Sequence, residues 1–286
     1  MPELPEVESV RRSLEPPLTG RGVARVECRR RDVVVAPGDP PGGFSRHRGA
    51  ARPVPIGPGM LLEGRTIRGL DRRGKQLALL TDLGPALIVH LGMTGRLEHA
   101  TGGEDPPHTH LVWVLDDGSR LRFADPRRFG LVRIAPAGPA PVWAELGPDA
   151  LTIGARTLHG AVCRSRRAIK AILLDQAVLA GVGNIYADEA LHASGLHPAR
   201  PGASLGAAKT GRLAREIRGV LGRAIRAGGS TVRDYRDGAG RPGSFQQRHR
   251  VYGRGGLACG SCGSVLEQGT IAQRTTVWCP RCQPPG

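Results

Sequence analysis

CGSCGSVLEQGTIAQRTTVWCPRC, residues 259–282, decides the last part of the fold. Cys259 and Cys262 form one C-x2-C pair and Cys279 and Cys282 a second, with 16 residues between the pairs. Two thiolate knuckles at this separation suit tetrahedral zinc. Val265, Leu266, Val277 and Trp278 suit a β-hairpin between them. Four protein ligands close the site, so the expected Zn2+ is structural and not catalytic. Disulfides or unpaired thiols are the competing reading, and a cytosolic chain disfavours disulfides. Arg274 lies in the hairpin, within reach of a phosphate. Cys28 and Cys163 lack metal spacing and are expected in the core.

Outward from this ribbon, the chain is strongly basic. Forty-one Lys and Arg face 25 Asp and Glu, a net charge of +16 over 286 residues. Such a field attracts polyanions, and nucleic acid is the default partner. No stretch approaches the roughly 20 apolar residues that span a bilayer, and no signal pattern opens the chain. A cytoplasmic protein, active as a monomer and without a membrane partner, is expected. Aromatic residues are only 3%, which argues against a single-strand binder built on base stacking. Lys75, Lys170 and Lys209 are the only lysines. A lysine surviving among arginines hints at a site that needs a compact ammonium.

The length suits two domains. Leu4, Val7, Val10 and Leu14 predict an amphipathic helix from Glu3 to about Glu15. Apolar runs at 23–26, 33–35, 77–80, 87–91, 111–115, 121–123 and 131–134 predict strands of a β-sandwich or barrel. Residues 36–60 are crowded with Pro and Gly and carry Arg46, His47, Arg48 and Arg52, as in a long insertion. Residues 136–150 read as a linker, with Pro and Gly gathered in 136–141. Beyond it the chain turns helical. One helix is expected over 169–179, a second capped by Asn184, and a third capped by Ser204 and stopped by Gly228-Gly229.

The chain opens Met1-Pro2-Glu3-Leu4-Pro5-Glu6. Methionine before a small residue is normally removed, which would leave Pro2 with a secondary amine. An α-amino group titrates at about 7.7–8.0, so near neutral pH part of it is unprotonated and can form a Schiff base. Glu3 and Glu6 put carboxyl groups nearby for proton transfer. Proline and acids at a helix start are equally ordinary capping chemistry, and on these residues alone both readings stand.

Several further pieces, taken in order, resolve this. They are PELPEVE at 2–8, RRGK at 72–75, HLGMTGRL at 90–97, DPRRFG at 125–130 and IKAILLDQ at 169–176. GVGNIYADEAL at 181–191, GGSTVRDYR at 228–236, FQ at 245–246, VYGR at 251–254 and WCPRCQ at 278–283 follow. Together with the cysteine ribbon, this series resembles the bacterial formamidopyrimidine-DNA glycosylase family over nearly the whole chain. The resemblance implies an α+β multidomain fold. An N-terminal β-sandwich with its leading helix would occupy 1–135. A helix–two-turn–helix domain would occupy 151–243, with a lid loop over 228–243, and a β-hairpin zinc finger 244–286.

It also implies a reaction on double-stranded DNA: excision of oxidised purines (8-oxoguanine and formamidopyrimidines), then strand cleavage by β,δ-elimination. Pro2 would be the nucleophile, Glu3 the proton donor, Glu6 a supporting group and Lys75 a catalytic lysine near the lesion phosphate. His90, Lys170, Asn184 and Arg274 would contact phosphates. Met93, Arg127 and Phe129 would fill the gap left by the everted base. An endonuclease VIII-like glycosylase for oxidised pyrimidines is one alternative; a non-catalytic zinc-finger DNA-binding protein is the other. The 36–60 insertion, Gln76, Thr94 and Gln273 depart from the family's common pattern.

Overall fold

The computed structural model describes residues 2–39, 55–57 and 59–285. Met1 and the insertion residues Arg46, His47, Arg48 and Arg52 lie outside them. The chain divides into two compact units: Met1–Glu145 with Gly228–Gly243, and Leu146–Ala227 with Ser244–Gly286.

The first unit begins with helix α1, Leu4–Leu18. Glu3 is its N-cap and forms a capping box with Glu6, which satisfies donors that a helix start leaves open. Val7, Val10, Leu14 and Leu18 fall on one face and are at most 1% exposed. The helix runs past the expected Glu15 through Pro16 and Pro17, held by buried Leu18 and by the Thr19 N–H on the Glu15 carbonyl at 3.0 Å.

The strands are β1 (Val23–Cys28), β2 (Val34–Val35), β3 (Ile67–Arg73), β4 (Gln76–Thr81) and β5 (Ala86–His90). β6 (Arg96–Ala100), β7 (Thr109–Leu115), β8 (Arg120–Ala124) and β9 (Leu131–Ala135) follow. They form a four-stranded sheet, β1-β7-β8-β6, and a five-stranded one, β2-β9-β5-β4-β3. Leu111, Trp113, Leu121 and Phe123 from one sheet share a core with Leu77, Leu79, Leu87 and Val89 from the other and with α1. The alternate spacing is that of strands with one face buried. β3 and β6 are edge strands that the sequence did not announce. IRGLDRR and RLEHA carry isolated apolar residues among charged ones, a pattern an edge strand tolerates. Cys28 ends edge strand β1 and is exposed, not in the core as expected. A short helix α2, Ala140–Trp143, falls inside the expected linker and buries Trp143.

The second unit holds α3 (Ala155–Val162), α4 (Ile169–Leu174), α5 (Asn184–Ser194) and α6 (Ala207–Arg226), then the hairpin β10 (Glu267–Ile271) and β11 (Arg274–Trp278). Three local expectations shift. α4 stops at Asp175 instead of 179. Gly183, not Asn184, caps α5. Ser204 closes a 3-10 turn, and Gly206 caps α6. Cys163 caps the end of α3 and is half-buried, again not a core residue.

The segment 228–243 was expected with the helical domain. It packs instead in the first unit, because its hydrogen bonds go to α1 and β6. The Gly238 N–H donates to Ser13 Oγ at 2.8 Å, and the His99 N–H to the Gly238 carbonyl at 3.0 Å. Among the described residues, no helix is long and apolar enough to cross a membrane.

Candidate functional site

In the first unit the site grows from the start of α1. Pro2 is buried, and Glu3 and Glu6 are 2% and 1% exposed. Glu6 is the junction. Its Oε2 accepts the Glu3 N–H at 2.8 Å, and its Oε1 accepts the Ser230 N–H at 2.7 Å. The Tyr235 hydroxyl donates to the Glu6 carbonyl at 3.0 Å. Gly229 must be glycine here. Its φ is +84°, and a Cβ would meet the Glu6 carboxylate oxygen at 2.8 Å. The loop 228–243 is therefore stitched to the turn that carries Pro2 and Glu3.

Lys75 is half-buried in the two-residue turn between β3 and β4, where Arg73 pairs with Gln76. Gly74 takes the positive φ of 57° that this tight turn needs. Arg72 ties the turn to α1, with Nε 3.1 Å from Glu8 Oε2 and Nη1 donating to the Gly74 carbonyl at 3.0 Å. Glu8 also meets Arg11 and Arg12. Burial alone would raise its carboxyl. The hydrogen bonds from Arg11 and Arg12 and the charges of Arg11 and Arg72 outweigh burial and hold it at about 2.

His90 ends β5, and its Nδ1 accepts the Gly92 N–H at 3.0 Å. In the neutral ring this fixes the proton on Nε2, which makes that atom a donor suited to an anion. The next residues form a loop bearing Met93, 41% exposed. A second loop, after β8, bears Arg127 and Phe129; Phe129 is 38% exposed, and the Arg127 guanidinium lies 4.6 Å from its ring centroid. The loops touch backbone to backbone: a Cβ on Gly92 would lie 2.4 Å from the Phe129 carbonyl carbon.

In the second unit, Gln176 shapes the turn between α4 and α5. Its Nε2 donates to the carbonyls of Leu174 and Val182, both at 2.9 Å, and its Oε1 accepts the Gly181 N–H at 2.9 Å. This sets Asn184 on the first turn of α5, where the helix dipole favours anions. Asn184 Nδ2 donates to the Thr275 carbonyl at 2.9 Å, beside the exposed Arg274.

Lys170 departs from expectation. It is 0% exposed, and its ammonium lies 2.6 Å from Asp188 Oδ1, 3.2 Å from the Thr275 carbonyl and 2.7 Å from Thr276 Oγ1. These partners tie the lysine to the hairpin that carries Arg274, and the side chain is buried where an exposed phosphate contact was expected. Burial pushes Asp188 up to about 6, against the pull of the Lys170 charge.

The tip of that hairpin is strained. Ala272 and Gln273 both have positive φ, 52° and 56°, between the paired residues Ile271 and Arg274. This is a type I′ turn without the usual Asn or Gly.

The sulfurs of Cys259, Cys262, Cys279 and Cys282 all lie within 4.8 Å of one another. A tetrahedral metal with bonds of about 2.3 Å sets its sulfurs about 3.8 Å apart, so the four thiolates fit such an ion. Cys262 and Cys279 at 3.5 Å are far beyond disulfide bonding. His192 Nε2 lies 3.6 Å from Cys259 Sγ, and buried Gln283 accepts the Cys279 N–H at 2.9 Å. Glu189 accepts the N–H groups of Arg250, Val251 and Tyr252 at 2.9–3.0 Å, which anchors the chain entering the knuckles.

Sequence reasoning missed the residues that hold the site: Asp125, Glu8, Arg72, Gln176 and His192. Only Asp125, Arg72 and Gln176 lie in segments it singled out beyond the opening motif, and their partners are set by the fold.

The chain is similar to known proteins over nearly its whole length. Residues 1–132 match the formamidopyrimidine-DNA glycosylase N-terminal domain, and residues 146–236 match the formamidopyrimidine-DNA glycosylase H2TH domain. The formamidopyrimidine-DNA glycosylase of Laribacter hongkongensis is 43% identical over 291 residues, covering 99% of this chain and all of that protein. The crystal structure of MutM (Fpg) from Thermus thermophilus superposes with a TM-score of 0.82 at 41% identity, covering 100% of both chains. A Lactococcus lactis Fpg variant, solved in complex with Fapy-dG-containing DNA, gives a TM-score of 0.84 at 31% identity, covering 99% of this chain and 100% of that one. The chain belongs to the formamidopyrimidine-DNA glycosylase family.

Proposed function

We infer that this chain removes oxidised purines, 8-oxoguanine and formamidopyrimidines, from duplex DNA and cuts the strand at the resulting abasic site. The observation that carries this reading is the Glu6 carboxylate shared between the Glu3 N–H and the Ser230 N–H. It joins the turn bearing the amine to a glycine-rich loop, as an enzyme that encloses an extruded base requires.

The Pro2 nitrogen attacks C1′ of the sugar. The C1′–N bond to the base breaks, and the base leaves with a proton. Glu3 protonates the opening ring oxygen. The resulting iminium acidifies C2′–H; loss of that proton expels the 3′ phosphate, and a second elimination expels the 5′ phosphate. The amine is available only once Met1 has been removed. Lys75 and His90 Nε2 hold phosphates near the lesion. Met93, Arg127 and Phe129 occupy the gap in the stack, with Arg127 donating to the orphaned cytosine. In the second unit Asn184 and Arg274 hold phosphates, and such contacts position DNA without reading its sequence.

The four cysteines would bind one zinc ion, which supplies the cross-link that keeps the small hairpin folded. The chain works on chromosomal DNA, in the cytoplasm and as a monomer.

Borohydride trapping on an 8-oxoguanine:C duplex tests the reading. Chain lacking Met1 is expected to form a covalent complex, and Pro2→Gly to lose it. Absence of a complex from the processed wild-type chain would refute the mechanism. Faster processing of a thymine-glycol:A duplex would favour the endonuclease VIII-like alternative.

A further inference from the structure

Asp125 opens the DPRRFG run directly after β8 and is 0% exposed. Its Oδ1 accepts the Thr94 hydroxyl at 2.5 Å and the Arg127 N–H at 3.1 Å; its Oδ2 accepts the Gly130 N–H at 2.7 Å. Its own backbone is fixed as well. The N–H donates to the His108 carbonyl at 3.1 Å, and the carbonyl accepts from His110 Nε2 at 2.8 Å and from the Arg128 N–H at 3.2 Å. One carboxylate thus spans both loops, the Met93 loop through Thr94 and the Arg127–Phe129 loop through two N–H groups.

Arg128 adds a second restraint. It is a non-glycine residue with φ of 55°, and its guanidinium is pinned to Asp32 Oδ2 at 2.9 Å. Left-handed backbone at a bulky residue persists only where the surroundings impose it. Here it separates Arg127 from Phe129 and accompanies the stacking of one side chain on the other.

We propose that Asp125, latched by Thr94, is the positioning residue that makes Met93, Arg127 and Phe129 a single rigid wedge. This rests on the glycosylase reading above. A wedge that must displace a base works only if its side chains arrive together, because a gap filled in part leaves the base free to return. All three partners of the carboxylate are donors, so aspartate satisfies them and asparagine does not: its NH2 group would face an N–H or O–H. Thr94 keeps the hydroxyl that the latch needs.

The test compares two substrates. An 8-oxoguanine:C duplex requires base displacement, whereas a single-stranded oligonucleotide with an abasic site does not. Thr94→Val keeps the shape and removes one half-buried hydrogen bond to a fully buried carboxylate. It is expected to slow single-turnover excision from the duplex about tenfold, with borohydride trapping on the single strand within about twofold of wild type. Thr94→Ser restores the duplex rate. Asp125→Asn has the same signature and a larger duplex defect, of order a hundredfold. Equal losses on both substrates, or a Thr94→Val duplex rate equal to wild type, would overturn the proposal. A wild-type chain inactive on both substrates would overturn the glycosylase reading itself.

Discussion

Glu8 on α1 and Asp188 on α5 are both buried helix carboxylates beside cations, and they answer burial in opposite ways. Glu8, 5% exposed, meets three arginines and is held at about 2. Asp188, 1% exposed, meets one lysine and is pushed up to about 6. The contrast teaches that opposing charges must outweigh burial before a buried carboxyl favours its ion: three arginines do so at Glu8, whereas at Asp188 one lysine does not offset deeper burial and the neighbouring Glu189 charge. In the first unit this cluster clamps the Lys75 turn to the helix of the amine. In the second, a thinner pair steadies the hairpin that carries Arg274.

The pair in the second unit should break most severely. Lys170→Met leaves Asp188 buried without its cation, at an expected cost of about 3–5 kcal/mol. A carboxyl whose folded value lies above its unfolded one stabilises the fold when protonated, and that contribution is lost as pH rises from about 4 to about 6. The Lys170→Met defect should therefore shrink below about pH 6 in urea unfolding followed by amide exchange at Thr275 and Thr276. A defect that grows on acidification would contradict the comparison.

Glu8→Gln should remove about 2–3 kcal/mol near neutral pH, discounted for partial solvent screening. The sign is reversed: a depressed carboxyl contributes fully above about 4.5, and its contribution fades as pH falls toward 2. Wild type and variant should converge near pH 2 in acid-unfolding curves; parallel curves would show that the arginines do not hold the charge. The smallest effect concerns the hairpin itself. Gln273→Gly relieves a left-handed side-chain residue and should stabilise the finger by about 1 kcal/mol, seen as slower amide exchange at Thr275 and Thr276. Unchanged exchange would place the strain elsewhere.

Much of this was legible in the sequence because it is local. The capping box needs only Glu3 and Glu6, and the cysteine knuckles carry their own spacing. The alternation of Leu111, Trp113 and Leu115 marks a strand without any partner. What stayed hidden depends on distance. The latch joins Thr94 and Asp125 across 31 positions, and Glu8 meets Arg72 across 64. A lysine in a matched motif does not disclose that it is 0% exposed, so Lys170 read as a surface contact. The strands β3 and β6 were missed because IRGLDRR and RLEHA hold only isolated apolar residues among charged ones, unlike the apolar run of the other edge strand β1. Asn184 was read as a cap because its side chain can serve as one, whereas here it already stands inside the helix, one position past the extended Gly183 that caps it.

The bond between Glu6 and Ser230 spans 224 positions. On the ribosome, at about 5–20 residues per second, those positions take on the order of tens of seconds to appear. Through that interval the nascent chain carries its amine and acids without the loop that stitches them together. This corner is thus among the last parts of the first unit to be completed, although its residues are the first to be made.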